Sequence, residues 1–387
     1  VEDILIDLAK GIGVFFLHPA VYITLLFSIL IGYFRVKRER KHFRTRILWG
    51  WTEFKHLLDG YVWAIILSVL SVAIGLVVPS SWLFSYSAWM ILFILLFVYQ
   101  LGSAIYAMAL GAITLYVMNR YDWSFHISSW NFTGFNIMQE AVVPIAILAG
   151  LLLIVEGILI QKNGAANASP KLVKTARGSE AIEYVTKRLW LLPVLLVIPG
   201  EVISTYLPYW PQFRLGESTF SLILFPFVIG FQQKSRRALA VEFFPRYGKQ
   251  VWQLGIIILV IAAVGYIMPL ISGVALIIGV IARLLLSYIA YKKETTGTFA
   301  VSAQSKGVMI AGVLEDSPAE KMGLLIGECI VKVNGHKVTN ENELYEAVQI
   351  NAAHCRLEIV DVSGELRLRQ HILFKHDHYR LGLLLVR

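Results

Sequence analysis

Glu156, Glu201 and Arg283 are the residues of this chain whose type and setting most invite chemistry, because each is ionisable and lies within a long apolar run. In a bilayer such a group costs about 2.5–3.5 kcal/mol at mid-helix and by default marks a functional site. Lining a watery path, the three would carry an ion or a proton; packed inside a bundle, they would hold helices together. Glu201 follows Pro199-Gly200, a kink signal, and is a candidate partner for Arg283. Alternatively Glu156 lies near a helix end and Arg283 snorkels to the interface. The chain lacks the repeated broken-helix pattern that transporters use.

Leu58-Asp59-Gly60 suggests a second chemistry, since an Asp in such a triplet serves as a zinc ligand in intramembrane proteolysis. That chemistry also needs His-Glu-x-x-His on a helix, with two His one turn apart to grip the metal and a Glu to activate water. None of the nine His is followed by Glu, so Asp59 reads as the approach to a span. The chain has no Gly-x-Ser-x-Gly elbow and no Gly-x4-Gly-Lys-Ser/Thr phosphate loop. Cys329 and Cys355 have neither metal-ligand spacing nor a His cluster and read as reduced thiols. These residue types favour binding over turnover, with no cofactor or metal expected.

Such residues have to be positioned by membrane elements. Of the 387 residues 57% are hydrophobic and only 16% charged, with mean hydropathy +0.65; a soluble domain has about 45–50% and about 25%. The excess lies in residues 1–294, whereas 295–387 have the composition of a soluble domain. A single globular enzyme, a disordered chain and a disulfide scaffold are excluded. A spanning helix takes about 20 apolar residues. The candidate runs are 12–34, 61–79, 84–118, 142–160, 189–207, 216–231, 251–269 and 271–291, which predicts a polytopic α-helical membrane bundle of about eight spans. The 84–118 run is long enough to break in two at Gly102-Ser103, and 216–231 is short and contains Pro226. The first run is long and ends at a basic stop, so it reads as an anchor rather than a cleaved signal.

Charge sets the orientation. Residues 1–294 hold 25 basic and 15 acidic residues, and 295–387 hold 10 and 11. The positive charge lies in short loops at 35–46, 161–188 and 234–249, while 79–87, 119–140 and 208–217 are nearly neutral. That is the pattern of membrane orientation rather than a nucleic-acid footprint. The basic loops face the cytoplasm, and the last run, ending at Tyr291-Lys292-Lys293, delivers the tail to the same side. The 35–46 run also suits anionic headgroups, at about 1 kcal/mol per basic residue near the surface, although topology alone accounts for it.

The tail reads as a small α+β domain joined by a short stalk, Lys292 to Gly297. A strand is expected at 308–314. Ser317, Pro318 and Glu320 then form a Ser-x-x-Glu helix start, which Gly323 ends. A strand at 329–334 leads into Asn334-Gly335, the strongest short hairpin signal. Asn340 with Glu343 starts a helix near 341–350 that carries Leu344, Ala347 and Val348 on one face. Residues 356–362 and 366–374 read as a hairpin around Ser363-Gly364.

Gly307-Val308, the Ser317–Leu324 stretch, Gly327-Glu328-x-Ile330, Val333-Asn334-Gly335 and Val338 together resemble a bacterial PDZ domain, with Glu328 where the family usually has Asp. The resemblance implies peptide binding by strand addition. It places a carboxylate-capturing loop at Arg380, Leu381 and Gly382, a pairing strand at Leu383–Leu385 that includes Leu384, and a helix wall of Leu344, Ala347 and Val348. Core packing is the alternative role for Leu381, Leu385 and Ala347. The Leu8–Pro19 opening, the basic first loop and the terminal PDZ-like unit also make the whole chain resemble the MinJ family of membrane-embedded division-site determinants. That resemblance implies a non-enzymatic adaptor at poles and septum. Its partners would be a DivIVA-like scaffold, a MinD-like ATPase and other division proteins, and it would restrict FtsZ assembly. The competing classes are a PDZ-containing membrane protease or its regulator, and a transporter.

Overall fold

The computed structural model describes residues 12–13, 15–127, 130–133, 141–166, 168–199, 212–215, 218–351, 354–372 and 381–386. Among the described residues the first part has seven helices of 14 residues or more: α1 (Pro19–Phe43), α2 (Tyr61–Ile74), α3 (Ser80–Leu95), α4 (Ala104–Arg120), α5 (Val142–Asn163), α6 (Ala240–Val264) and α7 (Pro269–Thr295). The stretches Pro19–Phe43, Thr52–Ile74, Val142–Asn163, Ala240–Val264 and Pro269–Thr295 are long and apolar enough to cross a membrane, and α3 is a shorter apolar helix. Their composition makes this a membrane protein. α1 starts with Pro19 in its first turn, behind His18, whose Nδ1 accepts from Ala20 N at 3.2 Å, and ends at Arg44 in the left-handed conformation with Arg40, Lys41 and His42 in the last turn. The Arg40 and Lys41 cations complement the helix dipole. α5 and α6 touch along a glycine seam. A Cβ on Gly255 would lie 2.7 Å from Ile154 N, and one on Gly248 would lie 2.5 Å from Gln161 N, so only glycine allows this approach.

The expected 84–118 run does divide, into α3 and α4, with the break running from Leu96 to Ser103. Gly102 sits against Gly230, where a Cβ would come within 2.5 Å of the opposing Cα, and Gly230 N donates to Gly102 O at 2.6 Å.

Two of the expected spans are not helices. β1 (Ser124–Ile127) and β2 (Trp130–Thr133) form a small antiparallel pair after α4, and β3 (Ser169–Lys174), β4 (Glu180–Pro199), β5 (Gln212–Leu215) and β6 (Ser218–Ser235) form an antiparallel sheet in the order β3-β4-β6-β5. β4 and β6 take up the described parts of the 189–207 and 216–231 runs. A continuous apolar run bounded by turns fits a strand buried on both faces as well as it fits a helix, and β4 is buried along most of its length. The prolines decide against a helix. Pro193 and Pro226 would each remove a helix bond and clash with the preceding turn. In the sheet they lie directly opposite one another, which is tolerated where neither residue donates across the ladder. Leu195 N–H, two residues on and pointing the same way, is taken by Ser68 Oγ at 2.8 Å.

The tail folds as β7 (Val308–Val313), α8 (Pro318–Lys321), β8 (Cys329–Val333), β9 (His336–Lys337), α9 (Glu341–Gln349), β10 (His354–Val360), β11 (Leu366–Ile372) and β12 (Leu383–Leu385). Its sheet runs β11-β10-β8-β7-β12, with β9 paired to β8. Ser317 Oγ accepts from Glu320 N at 3.2 Å, while the Glu320 carboxylate reaches Asp316 N at 2.7 Å. Asn334 (φ 49°) and Gly335 (φ 86°) make the two-residue hairpin turn. Both cysteines are buried free thiols, and burial pushes Cys355 up to about 11.

Strand alternation gives this sheet two apolar faces. Val308, Ile310, Ile330, Leu357, Leu383 and Leu385 join α9 in the domain's own core. Met309, Ala311, Cys329, Leu384 and Val386 point the other way and merge with the core of the helical part. Tyr184 of β4 donates its hydroxyl to Ala311 O at 2.9 Å. The connector is helical as far as Thr295, and residues 301–303 then lie along the start of β4, with Ile182 N to Val301 O and Ala303 N to Glu180 O both 2.9 Å. The stalk expected at Lys292–Gly297 is therefore mostly the last turn of a helix.

Candidate functional site

The sequence-predicted peptide site sits at one end of the tail sheet. β12 pairs with β7 through Leu383↔Val313, Leu384↔Gly312 and Leu385↔Ile310, and among the described residues it is the last strand on that side of the sheet. Leu381 O accepts from Ala319 N at 2.9 Å and Gly382 O from Leu314 N at 2.8 Å, which fixes the loop ahead of the strand against α8. Gly382 has φ 80° and lies against the Ser317 side chain, so only a residue without Cβ fits there. Arg380 lies outside the described residues. Leu344, Ala347 and Val348 of α9 are buried in the same core as Leu381, Leu383 and Leu385. Leu384 is on the opposite face, packed toward the helical part, so its side chain does not line the space beside α9. Asn334 ties α9 to the sheet: its Nδ2 donates to Ala347 O at 3.0 Å and its Oδ1 accepts from Arg356 N at 2.9 Å. The sequence marked Asn334 as a turn residue; this second role depends on β10, which lies 22 positions on.

Glu156 and Arg283 meet in the core of the helical part. Arg283 Nη2 and Nε donate to Glu156 Oε1 at 2.6 and 3.1 Å. Arg283 Nη1 donates to Tyr247 OH at 2.7 Å and Ser287 Oγ at 2.6 Å. The Ser103 hydroxyl donates to the other Glu156 oxygen. Glu156 is wholly buried within α5 rather than near its end, and Arg283 is buried rather than snorkelling. Among the described residues the carboxylate partner of Arg283 is thus Glu156; Glu201, the partner expected from the sequence, lies outside the described residues. This arrangement joins α5, α6, α7 and the start of α4 with each charge compensated, as a structural pair must be.

Asp59 is engaged by protein side chains. His56 Nδ1 lies 3.0 Å from it, Asn163 Nδ2 donates to it at 2.9 Å, and Arg188 Nη1 is 3.7 Å away. It locks the approach to α2 onto α5 and β4.

Sequence reading missed a second charged centre. Arg35, counted in the basic loop, lies inside α1 and is buried. Its Nε donates to Glu53 Oε1 at 2.6 Å and its Nη1 to Glu39 Oε1 at 3.0 Å. Ser169 Oγ donates to Glu39 at 2.8 Å. The available signal was Glu39, an acid four residues after Arg35 in an otherwise basic run. On β4, Glu183 is buried among Lys171 (3.8 Å), Lys234 (3.3 Å) and Arg236. Burial opposes its ionisation, but Lys234 and Arg236 outweigh that and hold the carboxyl below its usual range.

Residues 309–360 match the family model of the PDZ domain. Over 395 aligned residues the chain is 31% identical to the cell division topological determinant MinJ of Bacillus subtilis (strain 168), covering 99% of this chain and 96% of that protein. The chain belongs to the MinJ family. A probable MinJ of Lacticaseibacillus paracasei is 26% identical over 252 residues, 64% of this chain and 67% of that protein. A shorter match of 33% over 63 residues, 16% of this chain and 14% of that protein, is to the Na(+)/H(+) exchange regulatory cofactor-like protein nrfl-1 of Caenorhabditis elegans. The MinJ relatives are named as cell division topological determinants rather than as enzymes. MinJ membership and the PDZ match agree with the reading of a membrane unit followed by a PDZ domain.

Proposed function

We propose that this MinJ-family chain is a non-enzymatic, multi-pass membrane adaptor. It links a DivIVA-like scaffold at poles and septum to a MinD-like ATPase, and so restricts FtsZ assembly and septum placement. The observation that carries this is the similarity to a cell division topological determinant along nearly the whole chain. Two features of the fold support it. Among the described residues β12 is the last strand of its sheet beside α9, so an extended segment has an edge on which to add a strand. Its carboxylate would meet the loop at Arg380–Gly382, and its apolar residue would press toward Leu344, Ala347 and Val348. Lys171, Lys234 and Arg236 gather next to Tyr184, where the PDZ sheet packs. Positive charge marks the cytoplasmic side, so the PDZ domain belongs there. Residues 295–387 are taken as the domain and 1–294 as the membrane unit.

The test is a pull-down from cells with the full chain and with a chain ending at Thr295, paired with fluorescent localisation. The full chain is expected to collect at poles and septa and to retain the scaffold and the ATPase. Removal of the tail is expected to lose at least one of them, and deletion of the whole protein to give filamentous cells. Retention of neither partner by the full chain would sink the proposal.

A further inference from the structure

A cleft of about 60 Å³ opens between α1, the break after α3 and β4, lined by Arg35, Arg38, Glu53, Tyr99 and Lys187, with Phe34 and Phe97 at its mouth. A single water needs a cavity of about 10–15 Å³, so the space suits a small polar group and not a whole ligand. Its lining carries three cations, Arg35, Arg38 and Lys187, against one carboxylate, Glu53. Glu53 is occupied by Arg35 through two hydrogen bonds, at 2.6 and 3.2 Å. Among the described residues no carboxylate lies within ion-pair distance of Arg38 or Lys187. Arg38 Nε is buried and has no hydrogen-bond partner there. The Tyr99 hydroxyl is likewise without a partner in a side chain only 2% exposed, and the Lys187 ammonium stands 5.8 Å from that ring. Buried donors are normally satisfied, so this set of donors is complete only with an acceptor between them, and the surplus of positive charge calls for an anion.

The depth of the cleft says what kind of anion. The uncharged stretch 19–34 of α1 rises about 24 Å at 1.5 Å per residue, most of the roughly 30 Å hydrocarbon thickness. Arg35 and Arg38 follow directly, at headgroup level. At the mouth Phe34 and Phe97 are about half exposed and their rings lie 6.4 Å apart. Phe97 holds φ at 57°, a costly conformation for an aromatic residue that persists only where the surroundings impose it.

We infer that this cleft binds the phosphate of an anionic phospholipid, with Arg38, Lys187 and the Tyr99 hydroxyl as its donors and Phe34 and Phe97 flanking the acyl chains. Basic pockets between membrane helices take such headgroups. Here the site joins α1 to the sheet that carries the PDZ domain.

The test is native mass spectrometry of the full chain in detergent, after delipidation, with phosphatidylglycerol, phosphatidylcholine or inorganic phosphate added. One phosphatidylglycerol per chain is expected to be retained in preference to phosphatidylcholine. Retention should fall about tenfold or more in Arg38→Ala/Lys187→Ala, since each basic residue contributes appreciably. It should be unchanged in Lys37→Ala/Lys41→Ala, which removes the same charge from exposed positions on α1. Inorganic phosphate that raises the unfolding midpoint through Arg38 and Lys187, without phosphatidylglycerol being retained, would make the occupant a soluble phosphate and overturn the lipid assignment. Equal retention of both lipids, or indifference to the cleft variants, also overturns it. Should the double variant fail to fold, Tyr99→Phe decides alone: it removes one hydroxyl from the cleft, and undiminished retention there refutes the site.

Discussion

Removing one member of the Glu156–Arg283 pair strands the other as a buried charge. Breaking such a pair costs about 3–5 kcal/mol, while replacing both members by neutral groups of similar size is often tolerated. Glu156→Gln or Arg283→Met should therefore lower the unfolding midpoint of the detergent-solubilised chain more than the two together, as thermal scans of the three variants will show. A smaller effect in the single variants would contradict a structural pair. Glu183 makes a pH-dependent contribution. Its carboxyl is held below the ordinary value of 4.5, so the stability it supplies is fully present above about pH 4.5. That stability is lost as pH falls through the depressed folded value. Midpoints measured from pH 7 down to 3 should fall more steeply for the native chain than for Glu183→Gln. At this scale the sequence showed that Glu156 and Arg283 were unusual but not that they meet, because 127 positions separate them.

Single elements of the tail were legible because their signals are local. Ser317, Gly323, Asn334-Gly335 and Asn340 each act within a few residues, and each does what its type predicts. Asn334 carries more than its turn, since it also bonds Ala347 O and Arg356 N. Asn334→Ala should lose both bonds and strain a positive φ, costing about 1–3 kcal/mol. Asn334→Gly, which relieves the strain but not the lost bonds, should fall between that variant and the native chain. Urea titrations followed by alkylation of the buried Cys355 would rank the three. β4 and β6 were illegible as strands for the opposite reason. A strand buried on both faces shows no alternation, and hydropathy alone gives it the signature of a spanning helix. Pro193 and Pro226 were the discriminating residues.

At the scale of the whole molecule, the PDZ sheet is not suspended from a stalk but packed against β4, with Met309, Ala311, Leu384 and Val386 between them. A charge in that seam should separate the two units without unfolding either. Met309→Asp is expected to expose the 296–303 connector to protease while the membrane unit keeps its elution volume and the cleaved tail remains compact. An unchanged digestion pattern would mean that the seam is not what holds them together. Any partner pairing with β12 acts on a strand whose other edge is bonded to β7, and β7 rests on the membrane unit.

From the sequence alone came the membrane character, the basic loops, the PDZ-like tail and its turns and caps, and the absence of recognised catalytic motifs. Each depends on composition or on neighbours a few residues apart. Tertiary structure decided that two apolar runs pair as strands, that Arg283 finds Glu156, that Leu384 turns away from α9, and that the tail packs on β4. Those outcomes turn on which distant surfaces bury one another, and the free energy of such burial belongs to pairs of segments rather than to either segment's own residues.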